Sequence, residues 1–494
     1  MPEITSHSRQ YTENISTGRD PLLRSLLRAG LPERASTSFP SRRSITCLSY
    51  CLLHSATPNI MSTLKILISG AGIAGNALAF WLAKLGHDVT VVERFPSLRA
   101  TGLQVDLRGH GIEVMKRMGL ETAFRSMAAP EEGLQIVDRS GRQRAYFPAN
   151  KSGQGLQSFT SDFEIMRGDL CRLLHDAAAE QGAKYVFGAM IETFEEKEGS
   201  VEVQFADGTD GRYDLLVGAD GQGSHTRKAM RGLHVADAFY PLGDYVAYFT
   251  IPRPIQEGEG YNATMYIAPG GRGVMTRRHD PHGIQVYLGA KTNAAPLQNV
   301  RRGDVAGEKE ALSVIYQGAG WQTDGIVKAM REGAEDFYGE RLGLVKLDSW
   351  SRGRVALVGD AAYCPSAKTG MGTTAGIVGA YVLAGEIGRR CIARSGTEGS
   401  REGDGTNAAG GLAAALDAYE QSFQPFMKQV QKGIKADEEG GWDMMPSTAF
   451  GIAVMHYGLA LVAFLRLNVL GEWLLRENVR GWDLPEYEEM VRKR

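Results

Sequence analysis

The stretch Leu64-Lys65-Ile66-Leu67-Ile68-Ser69-Gly70-Ala71-Gly72-Ile73-Ala74-Gly75 decides the fold. An aliphatic run that ends in glycines and passes into a helical pattern (Ile73, Ala77, Phe80, Trp81 and Leu85 on one face) reads as a buried parallel strand turning into the first helix of a βαβ unit. Gly70 lets the strand turn sharply, Gly72 keeps the backbone open to a pyrophosphate, and Gly75 lets helix and strand pack closely. The helix start offers unpaired N–H groups and a partial positive charge to phosphates. A second strand, His87 to Val92, ends on Glu93, 18 residues after Gly75, close to the spacing at which a carboxylate accepts from a ribose hydroxyl. A glycine-rich turn alone specifies nothing. Strand, helix and acid together point to a dinucleotide.

Two more apolar strands end in an acid. Tyr213 to Gly218 runs into Ala219-Asp220-Gly221, with Ser224 and Arg227 beyond, and Arg354 to Val358 runs into Gly359-Asp360. Acids at the carboxyl edge of a parallel sheet lie where open α/β folds bind ligands. After Asp360, Pro365 and the run Gly370-Met371-Gly372-Thr373 build a bend that presents backbone N–H groups, followed by a helix from about Gly376 to Arg390. Ser161-Asp162-Phe163-Glu164 matches a capping box, which puts Arg167 in a first helical turn. A cation there opposes the helix dipole, so an anion or ligand is its better partner. Short strands are expected over residues 133–148, and a hairpin from Met190 to Phe205. From Tyr240 to Ala290 the pattern alternates and carries Tyr245, Tyr248, Tyr266 and Tyr287, as in a separate antiparallel sheet roofing the cofactor.

Length, 494 residues, exceeds one ordinary domain, and a net charge of −2 with scattered basic residues leaves no footprint for nucleic acid. The five cysteines make neither a metal spacing nor an evident disulfide framework. Residues 1–60 hold seven arginines, no lysine and many serines. A disordered extension is preferred there over a mitochondrial targeting segment, and the cytoplasm is the expected compartment. Phe450 to Leu465 is apolar for 16 residues, short of the ~20 a spanning helix needs, so a packed helix is favoured over membrane association.

The three strand ends, taken together, resemble the FAD-dependent aromatic monooxygenases of the para-hydroxybenzoate hydroxylase type, nearest to the tetracycline-inactivating flavin monooxygenases and their relatives in secondary metabolism, over about residues 64–390. The resemblance implies an α/β fold: a Rossmann-like FAD-binding domain of the GR2 type (61–239, including strands 133–148, and 340–390), an inserted antiparallel-sheet substrate domain (240–339), a flexible loop (391–411) and C-terminal helices (412–494). It implies that Gly70, Gly72 and Gly75 hold the FAD pyrophosphate and Glu93 the ribose, that Asp106, Arg167 and Asp360 are further FAD contacts, and that Pro365, Gly370, Gly372 and Thr373 lie by the flavin ring. Asp220 and Gly221 would serve FAD and NADPH together, and Arg94 or Arg99 the phosphate of NADPH, with NADH the alternative. The implied chemistry is reduction of FAD, addition of O2 at the flavin C4a carbon, and transfer of one oxygen atom from the hydroperoxide to a phenolic or enolic, polyketide-like small molecule, with no metal. Tyr245, Tyr248, Tyr266 and Arg277 are the candidates for the substrate pocket. Tyr363 stands where the family usually has His, and Thr373 where Asn is common. The alternatives are a flavin-dependent dehydrogenase or halogenase, and a catalytically silent flavoprotein acting as a binding partner.

Overall fold

The computed structural model describes residues 63–99, 102–150, 163–232, 235–391, 406–434, 446–465, 479 and 481–491. The expected extension at 1–60, Ser161 and Asp162 of the expected capping box, and residues 392–405 of the expected loop lie outside them.

Lys65–Ser69 sits inside a six-stranded sheet, the floor, in the order Ser351–Arg352, Val355–Leu357, Leu215–Gly218, Lys65–Ser69, Asp88–Glu93, Lys184–Phe187. Every pair is parallel except the first. Ile66, Leu67 and Ile68 are fully buried, as in a parallel strand covered on both faces. The first helix, Ile73–Lys84, packs against helices Arg167–Glu180 and Gly372–Arg390. A meander of Ile191–Lys197, Ser200–Phe205 and Asp210–Tyr213 adds Ile191, Val201 and Val203 to the same core.

The roof is a seven-stranded sheet in the order Tyr338–Val345, Phe239–Pro252, Gly283–Lys291, Arg272–Arg277, Asn262–Ala268, Gly133–Val137, Gln143–Pro148. The two last strands correct the expectation that 133–148 belongs with the floor. Gly133–Val137 pairs in parallel with Asn262–Ala268, and Gln143–Pro148 pairs antiparallel with it in turn to form the edge of the roof. Helices Val305–Tyr316 and Thr323–Gly333 cover one face of the roof, burying Leu312, Tyr316 and Met330 against it.

Between floor and roof runs a two-stranded ribbon, Gln104–Asp106 against Glu164–Met166. Glu164 is thus a strand residue and not the third residue of a helix; the helix starts at Arg167, later than a capping box at 161–164 places it, and Arg167 does lie in its first turn. Helix Thr406–Val430 begins within the expected loop and continues through Pro425. Burial of Leu416, Tyr419, Phe423 and Met427 beside Gly372–Arg390 outweighs the ~3 kcal/mol that an internal proline costs. The apolar C-terminal run forms Ala449–Phe464, which lays Leu459, Val462 and Ala463 on roof residues Leu134, Ile136 and Phe147. Among the described residues no helix is long and apolar enough to cross a membrane.

Candidate active site

The glycine turn has the geometry its sequence demands. Gly70 adopts φ +111°, and a Cβ there would stand 2.7 Å from the Ala219 carbonyl oxygen; a Cβ on Gly75 would stand 2.0 Å from the Gly70 carbonyl oxygen. Only hydrogen fits at either position. Gly72 is different, because a Cβ there would meet nothing within 4 Å. It caps the first helix with no side-chain hydrogen bond and no acid in the first turn, so the helix N–H groups face an open cradle. Helix Gly372–Arg390 likewise starts without a side-chain cap or an acid. Gly359 brings the two helix starts together: a Cβ there would lie 2.7 Å from the Ala74 Cβ.

Glu93 ends its strand as expected. One carboxylate oxygen accepts from the Ala71 N–H at 3.0 Å and the other from the Phe95 N–H at 3.1 Å, which ties the acid to the glycine turn and leaves lone pairs for a hydroxyl. Arg94 is exposed, with its guanidinium 5.0 Å from the Phe95 ring centroid. Arg99 is half-buried over the Tyr338 ring, and burial, then the nearby Arg167, depresses its pKa. Asp106 pairs with the buried Arg108 at 2.7 Å, and the Arg108 N–H donates to the Thr374 hydroxyl. The ribbon is thereby fixed to the first turn of the helix Gly372–Arg390.

Asp220 and Arg227 hold the loops in place. The Asp220 carboxylate accepts from the Ser224 hydroxyl and from the backbone N–H groups of His225 and Thr226, closing the turn into the helix His225–Arg231. Arg227 is fully buried; it donates to Asp237 at 2.9 and 3.0 Å, to the Gln222 carbonyl at 2.8 Å and to the Ala361 carbonyl at 3.1 Å. One side chain therefore clamps the second and third strand ends to each other.

Asp360 is solvent-accessible yet surrounded by protein, as a group lining a deep recess is, and its carboxyl is pushed up by those surroundings. Across from it the roof contributes Glu340, pushed up to about 7 by burial first and by Asp360 second, against the pull of Arg302, Arg167 and Arg99. Two acids and three arginines thus share one recess between floor and roof. Arg99, Arg167 and Asp360 were readable from their motifs; Glu340 and Arg302 carry no motif. Pro365 is buried in the bend, whereas Gly370, Gly372 and Thr373 are only partly buried along it.

The substrate candidates divide by sheet face. Tyr245 and Tyr266 lie in the core under the helices of the roof, and the Tyr266 hydroxyl donates to the Ala319 carbonyl at 2.6 Å. That corrects their assignment to a pocket. In a strand alternate residues face opposite sides, so Tyr248, Tyr287 and Tyr338 share the other face, with the Tyr248 and Tyr287 rings edge to face at 5.4 Å. Arg277 also faces this side, but it is buried in a bidentate pair with Glu131 (2.6 and 2.8 Å) and in contact with Glu164. Although burial opposes its charge, the two carboxylates hold it ionised. Tyr363 is buried against Trp350, Tyr419 and Phe423, and its hydroxyl pairs with that of Tyr419.

A family model described as an FAD binding domain matches residues 63–391. An FAD-dependent monooxygenase of Sarocladium schorii, asL4, is 52% identical over 435 residues, covering 88% of this chain and all of its own. A flavin-dependent monooxygenase of a Phoma species, eupH, is 44% identical over 338 residues, 66% of this chain and 78% of its own. Among solved structures, the tetracycline destructase Tet(51) superposes with a TM-score of 0.65 at 30% identity, over 86% of this chain and 99% of its own.

Proposed function

This chain belongs to the FAD-dependent monooxygenases of the para-hydroxybenzoate hydroxylase type, and from that membership we propose that it consumes NAD(P)H and O2 to place one oxygen atom on a phenolic or enolic, polyketide-like small molecule. The observation that carries the proposal is the recess itself. An open Gly72 cradle, with Asp360 brought close to it through Gly359 and with Glu340 and the arginines about Asp360, matches a doubly phosphorylated cofactor, and the aromatic face of the roof carries Tyr248 and Tyr287.

The residues present fit FAD. Gly70, Gly72 and Gly75 with the first helix would hold the pyrophosphate, Glu93 the adenosine ribose, and Asp360 the ribityl hydroxyls. Gly370 to Thr373 and the uncapped start of Gly372–Arg390 would hold the pyrimidine edge of the ring and favour negative charge on it. When bound, the flavin supplies the electron storage and oxygen activation that no side chain can. Asp106 and Asp220 act through the turns they brace, and Arg94 and Arg99 supply positive charge for a nicotinamide dinucleotide phosphate. The roof orients the substrate ring with Tyr248 and Tyr287 and keeps water from the reacting carbon. The cofactor half comprises 63–238 without 133–148, together with 346–390; the substrate half comprises 133–148 and 239–345, because the strand Tyr338–Val345 pairs into the roof and not, as the sequence suggests, with the floor.

The test is the absorbance spectrum of the purified protein, followed by NADPH and NADH oxidation in air with a panel of phenols. Flavin bands, consumption that rises with one phenol, and a product heavier by one oxygen support the proposal. A flavoprotein whose NAD(P)H consumption no phenol stimulates would overturn it.

A further inference from the structure

On the recess side of the roof, next to the ribbon, the structure holds a buried cluster outside the residues assigned above to the cofactor. Gln104 lies 6%, Glu164 0% and Gln285 0% exposed, and each keeps one side-chain oxygen with no hydrogen-bond partner among the described residues. Buried oxygens without a donor cost free energy unless something supplies one.

The chemistry of the three oxygens follows from their neighbours. Gln104 Nε2 donates to Glu164 at 2.5 Å and to Glu131 at 3.3 Å, which turns its carbonyl oxygen away from the carboxylates. His279 Nε2 pairs with Asp280 at 2.8 Å, so its Nδ1 accepts from Gln285 Nε2 at 2.7 Å and Gln285 Oε1 is the free end. Glu164 uses one oxygen for both Arg277 and Gln104, and the other is unused. Arg277 stands directly across the ladder from Gln285 on the same face, and Tyr287 follows two residues on. Gln104 and Glu164 look up from the ribbon at that face. The one cation among them is already matched by two carboxylates, so it offers no net charge to an anion.

We propose that this cluster is the substrate-recognition site and that it selects a neutral ring bearing several hydroxyl donors over the same ring bearing a carboxylate. This rests on the monooxygenase function proposed above and narrows its substrate class. A hydroxyl-bearing ring gives the amide oxygens of Gln104 and Gln285 the donors they lack, and it can meet the unused oxygen of Glu164 as donor or acceptor, since burial raises that carboxyl's pKa well above the ordinary range. A carboxylate would bring further acceptors toward Glu131 and Glu164, with Arg277 already taken.

The experiment uses the FAD-loaded protein and a matched pair of probes: 1,3,5-trihydroxybenzene and 3,5-dihydroxybenzoate, which differ only in exchange of one hydroxyl for a carboxylate. Each is titrated while the flavin absorbance is followed. The expected result is binding of the trihydroxybenzene at least about 10-fold tighter. Gln285→Leu should weaken it roughly 5- to 20-fold without changing flavin content, because a ligand hydroxyl loses its acceptor. Glu131→Gln frees charge on Arg277 and should shift the preference toward the benzoate, an outcome a purely structural cluster would not give. Equal or tighter binding of the benzoate, an unchanged affinity in Gln285→Leu, or no flavin perturbation by either probe would overturn the proposal. A protein that retains no FAD, or that oxidises NAD(P)H with no phenol at all, would instead indict the parent function, and both are read before any titration begins.

Discussion

Floor and roof obey different rules, and the difference explains what each tolerates. A floor strand such as Ile66-Leu67-Ile68 is buried on both faces, so its position depends on composition alone and a shift of one residue leaves it apolar. A roof strand such as Phe239–Pro252 has two unlike faces: Tyr245, Ala247 and Phe249 belong to the helical core, while Tyr248 looks the other way. One residue of register there exchanges core for pocket.

The sharpest way to break the contrast is at the floor. Gly75→Ala would drive a Cβ to 2.0 Å from the Gly70 carbonyl oxygen, a backbone atom that cannot step aside. A loss of about 3 kcal/mol and of flavin absorbance is expected, read by thermal unfolding and a spectrum. Retention of full flavin content would show that the turn is not the cradle.

Arg227→Met comes next. It removes a fully buried guanidinium whose partner Asp237 keeps some contact with water, so roughly 2–3 kcal/mol is expected from chemical denaturation, less than for a wholly enclosed pair. An unchanged midpoint would mean that the strand ends hold each other without the clamp.

Glu340 tests the recess through pH. Its folded pKa, about 7, lies above the ordinary carboxyl value, so the folded state binds more protons between pH 4.5 and 7. The stability it contributes is complete below pH 4.5 and is lost as pH rises through 7. Glu340→Gln should therefore match the wild type at pH 4.5 and exceed it by about 1–2 kcal/mol at pH 8, after allowance for the partly open recess. Thermal midpoints across that range decide it; parallel curves for the two proteins would remove Glu340 from the recess.

The smallest effect separates the roof's two faces. Tyr266→Phe gives up one buried hydrogen bond and should cost about 1 kcal/mol of stability with kcat/KM unchanged. A 10-fold fall in kcat/KM at unaltered flavin content would place Tyr266 in the pocket after all.

The same contrast sets what could be read from the residues alone. Gly70, Gly72, Gly75, Glu93 and Asp360 announce themselves because turn geometry and strand-end chemistry are local. Tyr245 and Tyr266 were indistinguishable from Tyr248 and Tyr287 by composition, since only the ladder fixes which face each takes. Strands 133–148 went to the wrong sheet because their partner, Asn262–Ala268, lies far along the chain. Glu164 imitates a helix cap in spacing, yet the backbone stays extended until Met166. Glu340 and Arg302 carry no signal at all; they matter only through the arginines and acid that the fold brings beside them.

The pairing of Leu215–Gly218 with Val355–Leu357 has a consequence in time. A growing chain makes the first of these strands and must then synthesise nearly the whole roof, roughly 140 residues, before the second appears. At typical rates of synthesis the apolar edge of the half-built floor waits on the order of ten seconds for its neighbour. During that interval the chain presents an open, apolar strand edge, a surface prone to aggregation that the finished protein keeps paired.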